Sequence, residues 1–409
     1  MGSTHHPRRC MSILSTISAI TLLLGVSHAA STTQVIYSFL GDTDGEYADT
    51  DLVTDSAGNI YGTTVQGGTY ASGTVFQVTP AGVHTILYSF TGGTDGGEPY
   101  KGVTLDAQGN IYGTAGVGGK YVGPCVDTGC GTVFKLTNNG GNWTFSIVHS
   151  FTGGRDGWGP GSGVTVDSAG VVYGTTPLGG TNNAGVIYQL TNVSGNWTEK
   201  IIHAFTGGND GIGGSAGRLL PDGRGGFFGA CTAGGANGSG VIFHLIPGSG
   251  GKWRLVPIYA FKGMPDAGFP YGGLLLDKSG NLYGTSYYDG ANDLGTVYKL
   301  TNNHNGTWTE SVLYSFQGGS DGASPISNLV ADAAGNLYGT TSEGGAASCG
   351  CGTLFKLTPG GIESVVHAFQ GPPDGAFVYN GMVPGSGGFY GATVHGGTAN
   401  EGAIYKFVP

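Results

Sequence analysis

The hexapeptide "NIYGTT" at residues 59–64 decides how the chain is read, because the chain repeats it. It returns as "NIYGTA" from 110, "VVYGTT" from 171, "GFFGAC" from 226, "NLYGTS" from 281, "NLYGTT" from 336 and "GFYGAT" from 388. The surrounding sequence keeps register with it. A phenylalanine ends each "YSF"-like segment: Phe39, Phe90, Phe151, Phe205, Phe261, Phe316 and Phe369. Glycine follows two residues later each time, and aspartate five residues later: Asp44, Asp95, Asp156, Asp210, Asp266, Asp321 and Asp374. Seven matches at fixed offsets define a repeated supersecondary unit.

Each unit reads as four strands: a short apolar one ("GVTLD", "GLLLD"), the "NIYGTT" phrase, "GTVFKLT", and "TILYSF" or "WTESVLYSF". Period-two alternation and the β-branched and aromatic content support strand throughout. "DSAGN"-type turns join the first two strands, with Asp to bind its own backbone and Gly-Asn to take positive φ. Seven four-stranded units predict an all-β, seven-bladed β-propeller, since a closed ring protects the sheet edges that an open stack would expose. After the leader described below, the chain starts on a lone fourth strand (33–39) and ends on a third strand (402–409). The N-terminal strand is therefore expected to close the last blade. The domain reading is 1–29 leader and 30–409 propeller, with units at about 40–90, 91–151, 152–205, 206–261, 262–316, 317–369 and 370–409 plus 33–39.

Composition agrees. Among 409 residues there are 84 Gly and 21 Tyr but only 10% charged residues, the reverse of a disordered chain. "HHPRRC", then "MSILSTISAITLLLGV", then small Ser27 and Ala29 form a secretory leader with cleavage expected after Ala29. Loss of Arg8 and Arg9 with it takes the formal net charge from -10 to -12. Such an acidic surface argues against nucleic acid as a partner. No later segment reads as a membrane span, and a secreted monomer is expected.

The combination "GNLYGTT…GG…GTVFKLT…LYSF…GG.DG" resembles the secreted bacterial GloVer-repeat, or choice-of-anchor tandem-repeat, proteins over residues 33–409. The resemblance implies a repeat propeller and lends no catalytic residues. Members often carry a C-terminal surface anchor; this chain ends at Pro409 without a sorting tail, so free secretion is expected.

Connections from fourth to first strand and from second to third share one face, and these are the longer loops, so function is assigned there. From the "YG" glycine to the glycine opening the third strand, five units use 11 positions; Gly113 to Gly131 uses 18 and Gly339 to Gly352 uses 13. The two expanded loops hold Cys125 with Cys130 and Cys349 with Cys351, read as local disulfides suited to an oxidising compartment, while Cys231 reads as a buried free thiol.

The seven recurrent aspartates favour a structural role, each binding the backbone of its own loop. Symmetry breaks in the first unit, "LGDTDGEYADTDLVTD". There Glu46, Asp49 and Asp51 are candidate acids for catalysis, and Asp42, Asp44 and Glu46 resemble the start of a calcium loop, against the plainer reading of a solvated acidic loop. Calcium is the candidate cofactor. Aromatic rings gather on the same loops: Tyr47, Tyr70, Tyr100, Tyr121, Trp158, Phe269, Tyr271, Tyr287, Tyr288, Phe377 and Tyr379. Tyr47, Tyr100, Trp158, Tyr271, Tyr287, Tyr288 and Tyr379 are the candidate ligand-binding set, since sugar rings need flat faces with hydrogen bonds beside them. His395 with Glu401 is a second acid–base candidate. Three functions follow: a glycan-binding or polysaccharide-binding propeller, a glycoside hydrolase or polysaccharide lyase using a carboxylate pair, or a structural or protein-interaction module.

Overall fold

The computed structural model describes residues 1–2, 31–214, 217–345 and 348–409. The leader expected at 1–29 lies outside these residues apart from its first two. Among the described residues the strands form seven four-stranded antiparallel sheets, arranged as a seven-bladed β-propeller, with no α-helix. Blade 1 comprises Val53–Thr54, Ile60–Thr64, Thr74–Val78 and His84–Ser89, and blades 2 to 6 follow in chain order. Blade 7 takes Val383–Gly385, Gly388–Thr393 and Ala403–Val408 from the C-terminus and its outermost strand, Thr32–Ser38, from the N-terminus. That strand runs antiparallel to Ala403–Val408, from Thr32 opposite Val408 to Ser38 opposite Ala403, and latches the ring as expected.

Every letter of the repeated phrase has a physical task, beginning with Asn59, whose side-chain amide donates to Asp55 at 2.9 Å. In blade 1, Ile60 is fully buried. The Tyr61 hydroxyl donates to Asp55, at 3.0 Å, in the tight turn below. Gly62 packs under the ring of Phe76: a methyl placed there would lie 2.7 Å from Phe76 Cζ. The same collision awaits at Gly113, Gly174, Gly229, Gly284, Gly339 and Gly391, each beneath the Phe or Tyr of its own third strand. Thr63 donates to the Pro99 carbonyl of the next blade at 2.7 Å, and Thr64 donates to the Gln66 carbonyl at 2.9 Å, fixing the following loop. Repetition is thus a packing rule executed seven times.

The core is divided among the seams. Seven clusters of buried apolar side chains each join two neighbouring blades. Burial between sheets, at roughly 25 cal/mol per Å² of apolar area, holds each blade to the next. The tryptophans Trp143, Trp253 and Trp308 lie at the hairpins opposite the long loops and edge-pack against Tyr61, Tyr173 and Phe228 of the preceding blade. Disulfides join Cys125 to Cys130 and Cys349 to Cys351, and Cys231 is free and buried.

The recurrent aspartates hold the long loops to the outer strands. Each accepts the backbone N–H just after the repeat Phe, from Leu40 N to Asp44 at 2.8 Å through Gln370 N to Asp374 at 3.1 Å. Each also meets the Tyr or His seven residues earlier, as in Tyr37 to Asp44 at 2.7 Å and His367 to Asp374 at 2.9 Å.

In three seams a glutamate of the next outer strand joins the aspartate: Glu199 beside Asp156, Glu310 beside Asp266 and Glu363 beside Asp321. Burial first, then hydrogen bonding and repulsion from Asp266, push Glu310 up to about 8; burial and Asp321 do the same to Glu363. Because the folded values exceed the unfolded value, this contribution is complete below about pH 4.5 and is lost as pH rises towards 8. Half-exposure reduces it to about 1 kcal/mol per glutamate. Turn carboxylates act oppositely: burial raises Asp55, but its bonds from Asn59, Tyr61 and Ala57 outweigh this and hold it low, so its contribution is lost in stronger acid. Thermal melts should therefore show a midpoint a few degrees higher at pH 5 than at pH 8. Replacing Glu310 and Glu363 together by Gln should flatten that dependence; an unchanged slope would refute the assignment.

Candidate functional site at the channel mouth

The loop face is built the same way in all seven blades. A short antiparallel bridge ties each fourth-to-first connection to the second-to-third connection of its blade, from Glu46 with Gln66 in blade 1 to Gly375–Ala376 with His395–Gly396 in blade 7. Four residues before the first-strand glycine position, the backbone turns through left-handed φ: Tyr47 (58°), Glu98 (48°), Phe269 (53°), Ser324 (57°) and Phe377 (56°), with glycine at 159 and 214. In blade 7, Phe377 N–H donates to the Cys351 carbonyl of the preceding blade, at 2.9 Å, and its own carbonyl accepts Val394 N–H. This left-handed turn, repeated in every blade, is a joint between blades. It also throws large side chains onto the face.

Rings then form an arc over blades 5, 7 and 1. Phe269 meets Tyr288 at 5.8 Å between centroids, Tyr288 meets Tyr287 at 4.3 Å, and Tyr287 meets Tyr271 at 5.4 Å. A cleft of about 340 Å³ follows, lined by Tyr271, Tyr287, Ile326, Glu343, Phe377 and Tyr379 together with Ser342. Beyond it Phe377 meets His395 at 5.6 Å, and His395 meets Tyr47 at 5.0 Å. Tyr271 and Tyr288 are well exposed.

Carboxylates border these rings. Burial raises the Tyr379 phenol, and the charges of Asp49 and Glu343 raise it further. Tyr287 is raised by burial, then by its bond to Tyr288 and the charge of Glu343. Asp49 is held by Asn380, whose side-chain amide donates to it at 2.5 Å across the blade 7 to blade 1 seam. Tyr100 donates to Glu98, and burial and that bond raise its phenol.

Deeper in the channel, one ring of positions breaks the sevenfold pattern. Gly102, Gly163, Gly273 and Gly381 open four first strands; Asp51, Arg218 and Asn328 stand at the same position in the others. The Asn328 amide donates to buried Asp51 at 3.0 Å and accepts from the Gly273 backbone. Arg218 donates to Thr104 at 2.9 Å; burial lowers its pKa while Asp51 works to raise it. The glycines make room: a methyl at Gly163 would meet Arg218 Nε at 2.8 Å, and one at Gly273 would meet Asn328 Oδ1. On the turn side of this ring lies a chamber of about 350 Å³ with mostly apolar walls, including Leu52, Val166, Leu220 and Met382.

The remaining sequence candidates occupy separate places. Asp44 binds Tyr37, Leu40 N and His84 Nδ1, the last at 3.2 Å. Glu46 accepts from Asp42 N at 2.8 Å. Glu46 and Glu401 both approach Gly41, and Glu401 keeps one buried oxygen without a hydrogen-bond partner. His395 Nδ1 faces the Asn400 carbonyl at 3.4 Å. Trp158 stands apart from the arc: its backbone bridges Leu178 and its ring packs on the blade 2 and 3 core. Sequence reasoning passed over Glu343, Asn380, Arg218 and Asn328. The last two were visible as departures from glycine at one aligned position; Glu343 carries no such signal, because its position, just before the recurrent Gly-Gly, holds a different residue in every unit.

Fold and repeat together define a seven-bladed β-propeller assembled from one tandem module. The chain belongs to the Gloeobacter/Verrucomicrobia repeat family, whose model matches residues 125–351 and 256–409. No curated protein matches it. Among solved structures it is similar to a 6-phosphogluconolactonase candidate from Bacteroides uniformis, at 15% identity over 78% of this chain and 84% of that one, with a TM-score of 0.49. It is also similar to a gluconolactonase from Xanthomonas campestris, at 11% identity over 92% and 89%, with a TM-score of 0.41. Likeness at this level transfers no residue and no activity. The two disulfides fit a location outside the reducing cytoplasm, and no helix among the described residues is long and apolar enough to cross a membrane.

Proposed function

We propose that this is a secreted protein that binds a glycan or polysaccharide along the aromatic arc at the channel mouth, with the Tyr271, Tyr287 and Tyr379 cleft as its central subsite. The observation that carries the reading is the continuity of rings from Phe269 to the cleft, with carboxylates beside them. Sugar rings present C–H faces for stacking and hydroxyls for carboxylate acceptors, so one surface satisfies both. A net charge of -10 disfavours polyanions and leaves neutral or basic chains as ligands. Asp42, Asp44 and Glu46 remain the candidate calcium ligands of the first long loop, away from the arc, since Asp44 is turned to the outer strand by Tyr37 and the Leu40 N–H.

A second reading, glycoside hydrolase or polysaccharide lyase, draws on one observation: Glu343 lines the cleft with Tyr379, and the charge of Asp49 bears on that tyrosine from the other flanking blade. A polysaccharide array read for both retention and new reducing ends separates the two. Wild type should retain at least one neutral polysaccharide. Tyr287→Ala and Tyr379→Ala should each weaken retention by about 2 kcal/mol, roughly 30-fold. Reducing ends that vanish in Asp49→Asn or Glu343→Gln would favour catalysis. Retention unchanged in both tyrosine variants would overturn the site.

A further inference from the structure

On the outer rim, far from the channel, three slots meet at each seam: the Tyr or His two residues before the repeat Phe, the recurrent Asp, and the residue six before the Phe of the next outer strand. In one seam of the seven, between blades 2 and 3, all three slots hold metal-ligand side chains of the kind found at transition-metal centres: His149, Asp156 and Glu199. We propose that this seam is a binding site for a divalent transition metal such as zinc, with His149 Nε2 and one oxygen each of Asp156 and Glu199 as its protein ligands.

Comparison with the sister seams supports this. Where histidine faces the Asp without a glutamate, the two make an ordinary hydrogen bond: His203 to Asp210 at 3.0 Å and His367 to Asp374 at 2.9 Å. Where Glu199 enters, the histidine draws back. His149 Nε2 stands 3.8 Å from Asp156 Oδ2 and 3.5 Å from Glu199 Oε1. These separations are long for hydrogen bonds. They suit ligands around one tetrahedral ion, whose bonds of about 2.0–2.2 Å put neighbouring donor atoms roughly 3.3–3.6 Å apart.

The donor atoms are also prepared. His149 Nε2 and Glu199 Oε1 are buried and have no hydrogen-bond partner. Asp156 is oriented by Thr152, which donates its backbone N–H at 2.7 Å and its hydroxyl at 2.6 Å. One imidazole with two carboxylates matches the charge of a dication and leaves a fourth position for water. Each side chain keeps a fringe of exposure, so an ion can reach them.

The sister seams also supply the control substitutions. Tyrosine fills the His149 slot in four other seams, and Leu255 fills the Glu199 slot in another. His149→Tyr and Glu199→Leu should therefore fold. The test titrates Co²⁺ and Zn²⁺ into chelator-stripped full-length protein, following the Co²⁺ visible spectrum and binding heat. Wild type should take up one equivalent, with a spectrum typical of four or five ligands. Each variant should lose more than about 100-fold in affinity, the upper limit for damage beyond the ligands themselves. No uptake by wild type, or uptake unchanged in both variants, would overturn the proposal.

Discussion

A chain lacking residues 30–40 should fail to give the cooperative melt of the full-length protein, and should aggregate or unfold at least 10 °C lower, by a rough scaling of its energetic loss. The deletion removes the outer strand of blade 7 and bares the edge of Ala403–Val408, an invitation to pair with another chain. It also removes Phe39, fully buried in the cluster joining blades 7 and 1, whose truncation alone costs about 3–5 kcal/mol. Asp44 loses Tyr37 and the Leu40 N–H as well, so the first long loop comes loose. Against a total stability of about 5–15 kcal/mol, losses on this scale exceed what the remaining blades can offset. Differential scanning calorimetry of the two chains decides it: a midpoint within two or three degrees of full length would mean that the strand is not the latch.

Gly174→Ala should also be clearly damaging, although it adds a single methyl. That carbon would sit 2.2 Å from the Tyr188 hydroxyl and 2.5 Å from Cζ of the same ring. Tyr188 is completely buried in the cluster joining blades 2 and 3, so it has nowhere to withdraw. Overpacking of this kind costs about 1–3 kcal/mol, and the lack of free space places this case at the upper end. Gly360 provides the control, because a methyl there meets only Thr358 Oγ1, at 3.8 Å, and its backbone needs no positive φ. Gly360→Ala should be neutral within about 0.5 kcal/mol. Combining Gly174→Ala with Tyr188→Leu should recover part of the loss, since the shorter side chain makes room. Denaturant midpoints of the four proteins would contradict the packing rule if the two glycine variants proved alike.

The contrast between these glycines explains what could be read from sequence. The Gly174 position follows an aromatic residue directly in every blade, and five of the seven blades keep the same spacing to the third-strand ring, because sheet geometry forces the same contact each time and a forced contact becomes visible as a period. Ring closure was legible for the same reason: a lone fourth strand at the start and a missing fourth strand at the end have one mutual solution. The channel ring was harder. Asp51 stood out within an acidic stretch, but its partner Asn328 lies 277 positions away, and only closure of the ring brings them to 3.0 Å. The arc was half legible: Tyr271 and Tyr379 share an aligned position and announce themselves, whereas Glu343 faces the cleft from a position that differs in every unit. His149 shares its slot, two residues before the repeat Phe, with His203 and His367, so nothing in its own unit sets it apart. What distinguishes it is Glu199, contributed by the next unit's outer strand, a relation that exists only across a seam.

The central claim is that ligand lies along the aromatic arc of the loop face. Hydroxyl-radical footprinting of the full-length protein, with and without a polysaccharide that it retains, tests this directly. Tyr271, Tyr287, Tyr288 and Tyr379 should be protected, with Tyr70 and Trp253 labelled equally in both states. Protection confined to the opposite hairpins around Trp143, Trp197, Trp253 and Trp308, with the arc tyrosines unchanged, would contradict it.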